Sequence, residues 1–269
     1  MDIKANSDLN RSNHFGMTHI VVENIHQYIK SIDGWNLDLI QYENGRFLSD
    51  LKIIQDKDIQ VLYDKSIIGL NKKASCDYDC VVSFPAEVQH SSPHFWCDGH
   101  YIQVSSMLVS NGRNLPELSV PKNSNIITIG FNQSYIENLV GDYILLEKSL
   151  VRPILHQFEM DMLKQMKNLF DTVSNNNDFT NLINLFLKYF FYVFLDESTS
   201  IYEPPSLRKK IVDRTLQLMV NEYTQPLTIT EICNHVGVSR RKLQYCFQEV
   251  LGINPIAYLK IIRLNQVHQ

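Results

Sequence analysis

The stretch of sequence that decides the C-terminal fold reads Leu227-Thr-Ile-Thr-Glu-Ile-Cys-Asn-His-Val-Gly-Val-Ser-Arg-Arg-Lys-Leu-Gln-Tyr-Cys-Phe247. Thr228 and Glu231 have the spacing of a capping box, in which each side chain accepts a backbone N–H of the other, so a helix begins here. Gly237 lacks a Cβ and permits the left-handed turn that ends a helix. Ser239 then suits the N-cap of a second helix. Two short helices joined by so tight a turn predict a helix-turn-helix.

The second predicted helix has two chemically different faces. Helical spacing places an apolar set on one side: Leu243, Cys246, Phe247 and Val250. Arginine can pair with guanine and glutamine with adenine in the major groove. Hydroxyl and cationic groups at a helix N-terminus suit phosphate oxygens. We therefore predict that the other side contacts double-stranded DNA through Ser239, Arg240, Arg241, Lys242, Gln244, Tyr245 and Gln248.

The charge distribution agrees with DNA contact at one end of the chain. Residues 206–269 hold 9 Lys+Arg and 4 Asp+Glu, a balance of +5. Residues 1–205 hold 16 Lys+Arg and 25 Asp+Glu, a balance of −9. A helix over 209–223 precedes the quoted stretch, and Asn254-Pro255 is an N-cap followed by the residue favoured at the first helical position. The basic segment therefore reads as an all-α unit that meets a polyanion.

The N-terminal part has the pattern of an antiparallel β structure. Short β-prone runs separated by turn signals fill residues 35–131, which favours a cupin-like barrel or sandwich. Helical spacing predicts helices over 17–31, 134–140 and 147–169. The chain is thus predicted to be α+β, with a sensor or dimerisation domain over 1–196 (β-rich at 35–131, helical at 134–196), a linker at 197–205 and a partial DNA-binding domain at 206–269.

One further predicted helix is a candidate for a contact between subunits. Thr180–Leu195 is apolar nearly all round, as expected of a helix buried in its own domain or against a second subunit. We expect a homodimer formed through it.

The 269 residues contain no apolar run long enough for a membrane span and no secretory signal pattern. The number of cysteines, five, is odd and does not suggest a framework of disulfides, which fits a protein of the reducing cytoplasm. We also expect no membrane partner.

Two side-chain groups support an alternative class. His90, His94, Cys97 and His100 have a spacing in which imidazole and thiolate could bind zinc. Cys76–Cys80 is a weaker candidate for redox chemistry. Because Pro93 interrupts the histidine segment, we expect neither a metal nor another cofactor, and no enzymatic activity. The alternatives are a cupin-like metal-binding or enzymatic barrel, and a dimerisation partner that does not itself bind DNA. Phe84, Phe95 and Trp96 are candidate walls of a pocket.

The quoted stretch and its sequel, Leu251-Gly-Ile-Asn-Pro-Ile-Ala-Tyr-Leu-Lys-Ile-Ile-Arg-Leu-Asn265, resemble the first helix-turn-helix and the linker helix of AraC/XylS transcription regulators. The resemblance implies that Arg241, Gln244 and Tyr245 read bases. It also implies an N-terminal sensor domain that binds a small effector and is often dimeric. The pattern Gly34-Trp…Gln41…Gly45-Arg46-Phe47 is similar to sensor domains of the ethanolamine-regulator branch.

The resemblance also sets an expectation about the end of the chain. Members of that family have two helix-turn-helix units, and this sequence ends at Gln269 inside the linker helix. We therefore expect a truncated form that carries the first unit. A single unit has few phosphate contacts, so its binding to DNA should depend strongly on salt and on a partner chain.

Overall fold

The computed structural model describes residues 16–43, 45–86, 95–102, 106–140, 154–157, 168, 181, 183–188, 190–191, 205–221 and 227–267. Its strands are β1 (Gly16–Val22), β2 (Trp35–Gln41), β3 (Ser49–Asp56), β4 (Ile59–Ser66), β5 (Leu70–Cys76), β6 (Cys80–Pro85), β7 (Phe95–Cys97), β8 (His100–Ile102), β9 (Ser106–Ser110), β10 (Leu118–Val120), β11 (Ser124–Phe131) and β12 (Ile154–Gln157). Its helices are α1 (Ile25–Ser31), α2 (Gln133–Val140), α3 (helical at 183–188 and 190–191), α4 (Leu207–Asn221), α5 (Ile229–Val236), α6 (Arg240–Leu251) and α7 (Pro255–Val267).

The strands form two antiparallel sheets, as the sequence predicts. One has seven strands in the order β1-β3-β4-β11-β6-β9-β12, and the other has five in the order β2-β5-β10-β7-β8. The middle strands of the larger sheet are buried on both faces. Val61 and Tyr63 of β4 pack in one apolar cluster with α3, whereas Leu62 packs in a different cluster that includes the second sheet's Leu39. The alternation of a strand thus sends neighbouring residues into two separate cores.

Helix α3 covers the outer face of the larger sheet. Phe190 and Phe191 meet edge-on with ring centroids 4.9 Å apart, and Phe186 lies 5.5 Å from Phe84. All three α3 phenylalanines are at most 3% exposed, while Leu185 is 66% exposed. The described part of the apolar segment Thr180–Leu195 therefore packs largely within its own chain.

The prediction of a helix over 17–31 is wrong at its start. Gly16–Val22 is strand β1, and Ile20 lies opposite Leu51 of β3. The run Thr18–Val22 is rich in β-branched residues, which fit a strand better than a helix. The helix begins only at Ile25, where the Asn24 side chain accepts the Gln27 N–H at 2.8 Å.

The prediction of a continuous helix over 147–169 is also wrong. Ile154–Gln157 forms β12, which pairs antiparallel with β9. Pro153, just before it, lacks the N–H that a helix interior needs, and this signal argued for a break. Asn168 is helical, and the rest of the predicted helix lies outside the described residues. So does all of the predicted linker except Pro205.

Helices α4 to α7 share a separate apolar core, which is built around Leu216, Ile232, Leu243, Phe247 and Tyr258. The predicted all-α C-terminal unit is therefore observed. Within the described ranges, no helix combines the length and the apolar character needed to cross a bilayer.

Candidate nucleic-acid interface

The first helix of the pair, α5, begins at a complete capping box. The Glu231 carboxylate accepts the Thr228 N–H at 2.7 Å, and the Thr228 hydroxyl oxygen accepts the Glu231 N–H at 3.3 Å. The backbone hydrogen bond from Thr228 lowers the pKa of Glu231. The helix ends at Gly237, whose φ of 73° is left-handed and whose N–H donates to the Cys233 carbonyl. The predicted start and end of this helix are both confirmed.

The second helix, α6, follows after three residues, Gly237, Val238 and Ser239. The Ser239 hydroxyl oxygen accepts the Lys242 N–H at 3.2 Å, which makes Ser239 the N-cap that the sequence predicts. The helix ends at Gly252, whose N–H donates to the Gln248 carbonyl. At the start of α7 the Asn254 side chain accepts the Ala257 N–H at 2.8 Å. Each of these helix starts is thus fixed by side-chain hydrogen bonds.

The inner face of α6 holds it against its neighbours. Leu243 and Phe247 are fully buried, and Cys246 and Val250 are each 1% exposed. The Phe247 ring meets the Tyr258 ring edge-on at 5.9 Å. On the rim, Arg208 of α4 forms an ion pair with Glu249 of α6. The buried inner side of α6 therefore holds the helix against the neighbouring helices.

The outer face of α6 is open to solvent. All seven residues predicted to contact DNA are exposed: Ser239, Arg240, Arg241, Lys242, Gln244, Tyr245 and Gln248. The Arg241 guanidinium lies over the Tyr245 ring at 5.9 Å, and Tyr245 is 62% exposed. The first turn of α6 contains no acidic residue. The structure thus brings these residues together on one positively charged surface, which we call the α6 face.

The helical unit is joined to the smaller sheet by a buried ion pair that the sequence reading missed. Lys209 of α4 lies 3.1 Å from Glu117, and both side chains are at most 5% exposed. Burial alone would raise the pKa of Glu117, but the Lys209 and Lys73 ammonium groups hold it below its ordinary value. The Asn71 amide also donates to Glu117 at 2.6 Å. A Cβ at Gly99 would lie 2.9 Å from the Lys209 Cβ, so the backbone passes close to α4 there.

A cavity lies between the two sheets. Its volume is about 70 Å³, and its walls are mostly apolar side chains such as Leu37, Leu62 and Ile126. Its charged wall consists of Asp64 and Lys72 with the phenol of Tyr28. Phe84 and Phe95, two predicted pocket walls, line a smaller neighbouring cavity of about 20 Å³. Trp96, the third, packs edge-on against Tyr101 at 6.1 Å.

The described residues do not bring the candidate metal ligands and redox cysteines together in a site. His90 and His94 lie outside the described residues, and Cys97 is buried. Burial and nearby Asp98 raise the pKa of Cys97, which disfavours the thiolate that metals bind. Burial likewise raises the pKa of Cys76 to about 11. Across the ranges that the structure describes, three or more potential metal ligands do not come together.

The pattern from Gly34 to Phe47 has structural roles. The Trp35 indole donates to the Gln60 side chain, and the Gln41 amide donates to the carbonyl of Gly45 at 2.8 Å. Phe47 is buried, and its ring lies 5.8 Å from that of Tyr28. These contacts tie β2 and the following turn to the rest of the sandwich.

A capped helix pair with a three-residue turn, a buried inner side and a basic outer side defines a helix-turn-helix protein with an attached β sandwich. Residues 219–260 match the family model described as "Bacterial regulatory helix-turn-helix proteins, AraC family". These residues belong to the AraC family, as the sequence resemblance predicts.

The chain is also similar to one relative by sequence and to two solved structures. The chain is 36% identical over 74 residues to the "Probable thc operon regulatory protein" of Rhodococcus erythropolis. The match covers 28% of this chain and 22% of the relative, so the chain spans about a fifth of that relative's length. Among solved structures, the AraC-like transcriptional activator CuxR aligns over 93% of this chain and 95% of its own, with a TM-score of 0.44 and 11% identity. ToxT from Vibrio cholerae aligns over 94% and 81%, with a TM-score of 0.30 and 13% identity.

Proposed function

We propose that this protein regulates transcription by inserting α6 into the major groove of double-stranded DNA at specific sequences. The observation that carries the proposal is the α6 face: the inner side of α6 is packed, while its outer side is exposed and basic. Its arginine and glutamine side chains are of the types that can pair with base edges. The groove admits one α-helix, and the residues near its N-terminus contact base edges. The proposal assigns no enzymatic role to the chain.

The members of the α6 face have different proposed roles. Arg241 and Gln244 lie one turn apart and read base edges, since each can form a bidentate pair. Tyr245 holds the Arg241 guanidinium in place through its ring. Ser239, Arg240 and Lys242 lie at the start of the helix, where backbone N–H groups and positive charge attract phosphate. Gln248 extends the reading surface by one more turn.

The test is a selection of bound duplexes from a random-sequence library with the full chain. We expect the wild-type protein to enrich a defined sequence. The double variant Arg241→Ala/Gln244→Ala should lose about 100-fold in affinity for that sequence, since each bidentate pair contributes about 1–3 kcal/mol. Binding to unrelated duplexes should change much less, because phosphate contacts supply it.

A matched control is available on α4. Arg214 and Gln217 are exposed and have the same residue types and spacing as Arg241 and Gln244. Arg214→Ala/Gln217→Ala should keep the wild-type sequence preference. An unchanged preference in the Arg241→Ala/Gln244→Ala protein, with its circular dichroism spectrum also unchanged, would refute these base-reading roles. Failure of the wild-type protein to enrich any sequence would refute the proposed function.

We also propose that a small effector binds in the cavity between the sheets and controls DNA binding. The cavity wall supports this role, because Leu115, Pro116 and Leu118 line it while Glu117, between them, contacts Lys209 of the helical unit. Ala74→Leu would fill part of the cavity. A reporter driven by the selected DNA sequence and screened against a metabolite library should respond in the wild type and not in Ala74→Leu. Equal responses would place the effector elsewhere.

The homodimer expected through Thr180–Leu195 remains a proposal. Phe190 is buried against its own sheet, so Phe190→Glu would disrupt the fold rather than test an interface. Leu185 is 66% exposed on the same helix, and Leu185→Glu is the suitable variant. If α3 forms the contact, this variant should be monomeric by light scattering where the wild type is dimeric. A dimeric variant would exclude this surface.

A further inference from the structure

The cavity between the sheets has one charged wall in otherwise apolar surroundings. Asp64 of β4 and Lys72 of β5 form an ion pair there, with side chains 7% and 14% exposed. The Tyr28 hydroxyl of α1 lies beside them. The other polar wall residues, Ser83 and Thr128, are 3.1 Å apart and hydrogen-bonded to each other. The charged groups in the cavity wall are therefore those of the Asp64–Lys72 pair.

The Asp64 carboxylate is already satisfied. One oxygen accepts the Ser49 hydroxyl, and the other accepts the Tyr28 hydroxyl at 2.7 Å and the Lys72 ammonium. Burial would raise the pKa of Asp64, but Lys72 and the hydrogen bonds from Lys72, Ser49 and Tyr28 lower it overall. The carboxylate is thus held ionised and turned toward its protein partners. It is a poor acceptor for a ligand.

The Lys72 ammonium differs, because an ammonium has three N–H donors. Among the described residues, one goes to Asp64 and one to the Tyr28 oxygen at 3.3 Å. A third donor is left for a molecule in the cavity. Because Lys72 has no acceptor atom, the ligand must supply one.

The charge of the site excludes an ionised ligand. Asp64 and Lys72 together are neutral, so a bound carboxylate would leave a net negative charge in an apolar cavity. A bound ammonium would leave a net positive charge and would also lie near Lys72. Either arrangement carries the large desolvation cost of an uncompensated buried charge. An uncharged oxygen acceptor meets the Lys72 donor at no such cost.

The cavity is also larger than a site for a single water. A site that holds one water needs about 10–15 Å³. The 70 Å³ cavity therefore has room for a small organic molecule. The smaller cavity shares Ser83, Leu108, Leu118 and Ile126 with it and adds about 20 Å³.

We infer that the cavity binds a small, uncharged, apolar molecule whose single oxygen acceptor, such as a ketone carbonyl, takes a hydrogen bond from Lys72. This inference rests on the proposed effector role and names the chemical class of the effector. Binding to the purified chain requires no DNA, so its test is separate from the test of DNA recognition.

The experiment compares probes of matched shape on the full chain by NMR titration in sealed tubes. Cyclohexanone has the carbonyl, and methylenecyclohexane has the same shape without an acceptor. Cyclohexanecarboxylate and cyclohexylammonium supply the two charges. We expect cyclohexanone to bind about tenfold more tightly than methylenecyclohexane, consistent with one hydrogen bond to a charged donor. Neither ion should bind. Methyl signals of Leu62 and Ile126 should shift, which places the probe in this cavity.

Variants test the role of Lys72. The double change Asp64→Asn/Lys72→Met removes both charges together and leaves no buried charge unpaired. It should reduce the affinity for cyclohexanone about tenfold, to the level of methylenecyclohexane. Lys65→Met alters an exposed lysine next to Asp64 in sequence and should leave the affinity unchanged. Should the double variant not fold, the comparison of the two matched probes on the wild type still decides.

Several outcomes would overturn the inference. These are a carboxylate that binds more tightly than the ketone, equal affinities for the ketone and the hydrocarbon, and no binding of any probe. If cyclohexanone binds but the wild-type chain selects no DNA sequence, the cavity chemistry stands and the proposed regulatory function fails. If DNA is selected but no probe binds, only the ligand class fails.

Discussion

Gly237 shows how much a single residue contributes to the helix-turn-helix. Its φ of 73° lies in the left-handed region, and a Cβ placed there would meet no atom within 4 Å. The cost of adding a side chain is therefore backbone strain alone. We expect Gly237→Ala to lower the free energy of unfolding of the helical unit by about 1–2 kcal/mol.

Two further variants make this prediction specific. Gly237→Asn should cost less, because asparagine tolerates the left-handed region better than alanine. Gly16→Ala should cost little, since Gly16 has no positive φ and its nearest neighbouring atom would lie 3.9 Å from the added Cβ. Urea unfolding followed by circular dichroism measures all three. An Ala variant at 237 as stable as the wild type would contradict the left-handed assignment.

Residue roles were predictable where the signal is local. Thr228, Glu231, Gly237 and Ser239 act through neighbours within four positions, so their capping roles follow from the sequence. Lys209 and Glu117 are 92 positions apart. No local pattern distinguishes either from an ordinary surface charge, so their contact becomes visible only once the sheet and α4 are placed.

At the scale of elements, the start of α5 depends on its capping box. Thr228→Ala would remove the hydroxyl that accepts the Glu231 N–H and would leave that donor without its cap. We expect a loss of about 1 kcal/mol in the free energy of unfolding. Thr228→Ser keeps the hydroxyl and should restore most of it. Thermal unfolding of the three proteins is the measurement, and equal melting temperatures would count against the capping role.

Sequence patterns predicted some elements better than others for a physical reason. Helices α5 and α6 begin at side-chain hydrogen bonds and end at left-handed glycines, and the sequence encodes both signals locally. Strands β1 and β12 are stabilised by pairing with β3 and β9, which are distant in sequence. Their apolar residues also fit a helical spacing, but pairing with distant strands outweighs this local preference. The cavity depends on both sheets, so its charged wall was not predictable from any one segment.

On the scale of the whole molecule, the Glu117–Lys209 pair joins the helical unit to the smaller sheet. Glu117→Gln would leave the Lys209 ammonium buried with one fewer anionic partner. We expect a loss of about 3 kcal/mol in the free energy of unfolding, which is at the lower end of the usual cost of breaking a buried ion pair. The cost is at this end because Asp213 still contacts Lys209.

The exposed pair Arg208–Glu249 supplies the matched control. Its side chains are 56% and 41% exposed. Glu249→Gln should cost less than about 1 kcal/mol, as is usual for surface ion pairs. Urea denaturation gives both values. Equal losses in the two variants would show that burial of Glu117 adds nothing to the stability of the joint.

The two buried carboxylates also predict how stability depends on pH. The pKa values of Asp64 and Glu117 lie below their ordinary values of 3.8 and 4.5 because of their cationic partners, which outweigh burial. The unfolded chain therefore binds protons more readily than the folded chain in this range. Their stabilising contribution is complete above the ordinary values and is lost as the pH falls through the lowered ones. Glu117→Gln should show a shallower decline below about pH 4.5 in urea midpoints than the wild type, and an identical decline would contradict it.

The segment from Leu115 to Leu118 has a consequence that works in both directions. Three of its side chains form the cavity wall, and the fourth, Glu117, contacts Lys209. A ligand that alters DNA affinity through this wall does so by a certain factor. Thermodynamic linkage then requires DNA to alter the affinity for the ligand by the same factor. A protein molecule bound to DNA and one free in solution would thus have different affinities for the ligand. The concentration at which the ligand acts would be set partly by the DNA itself.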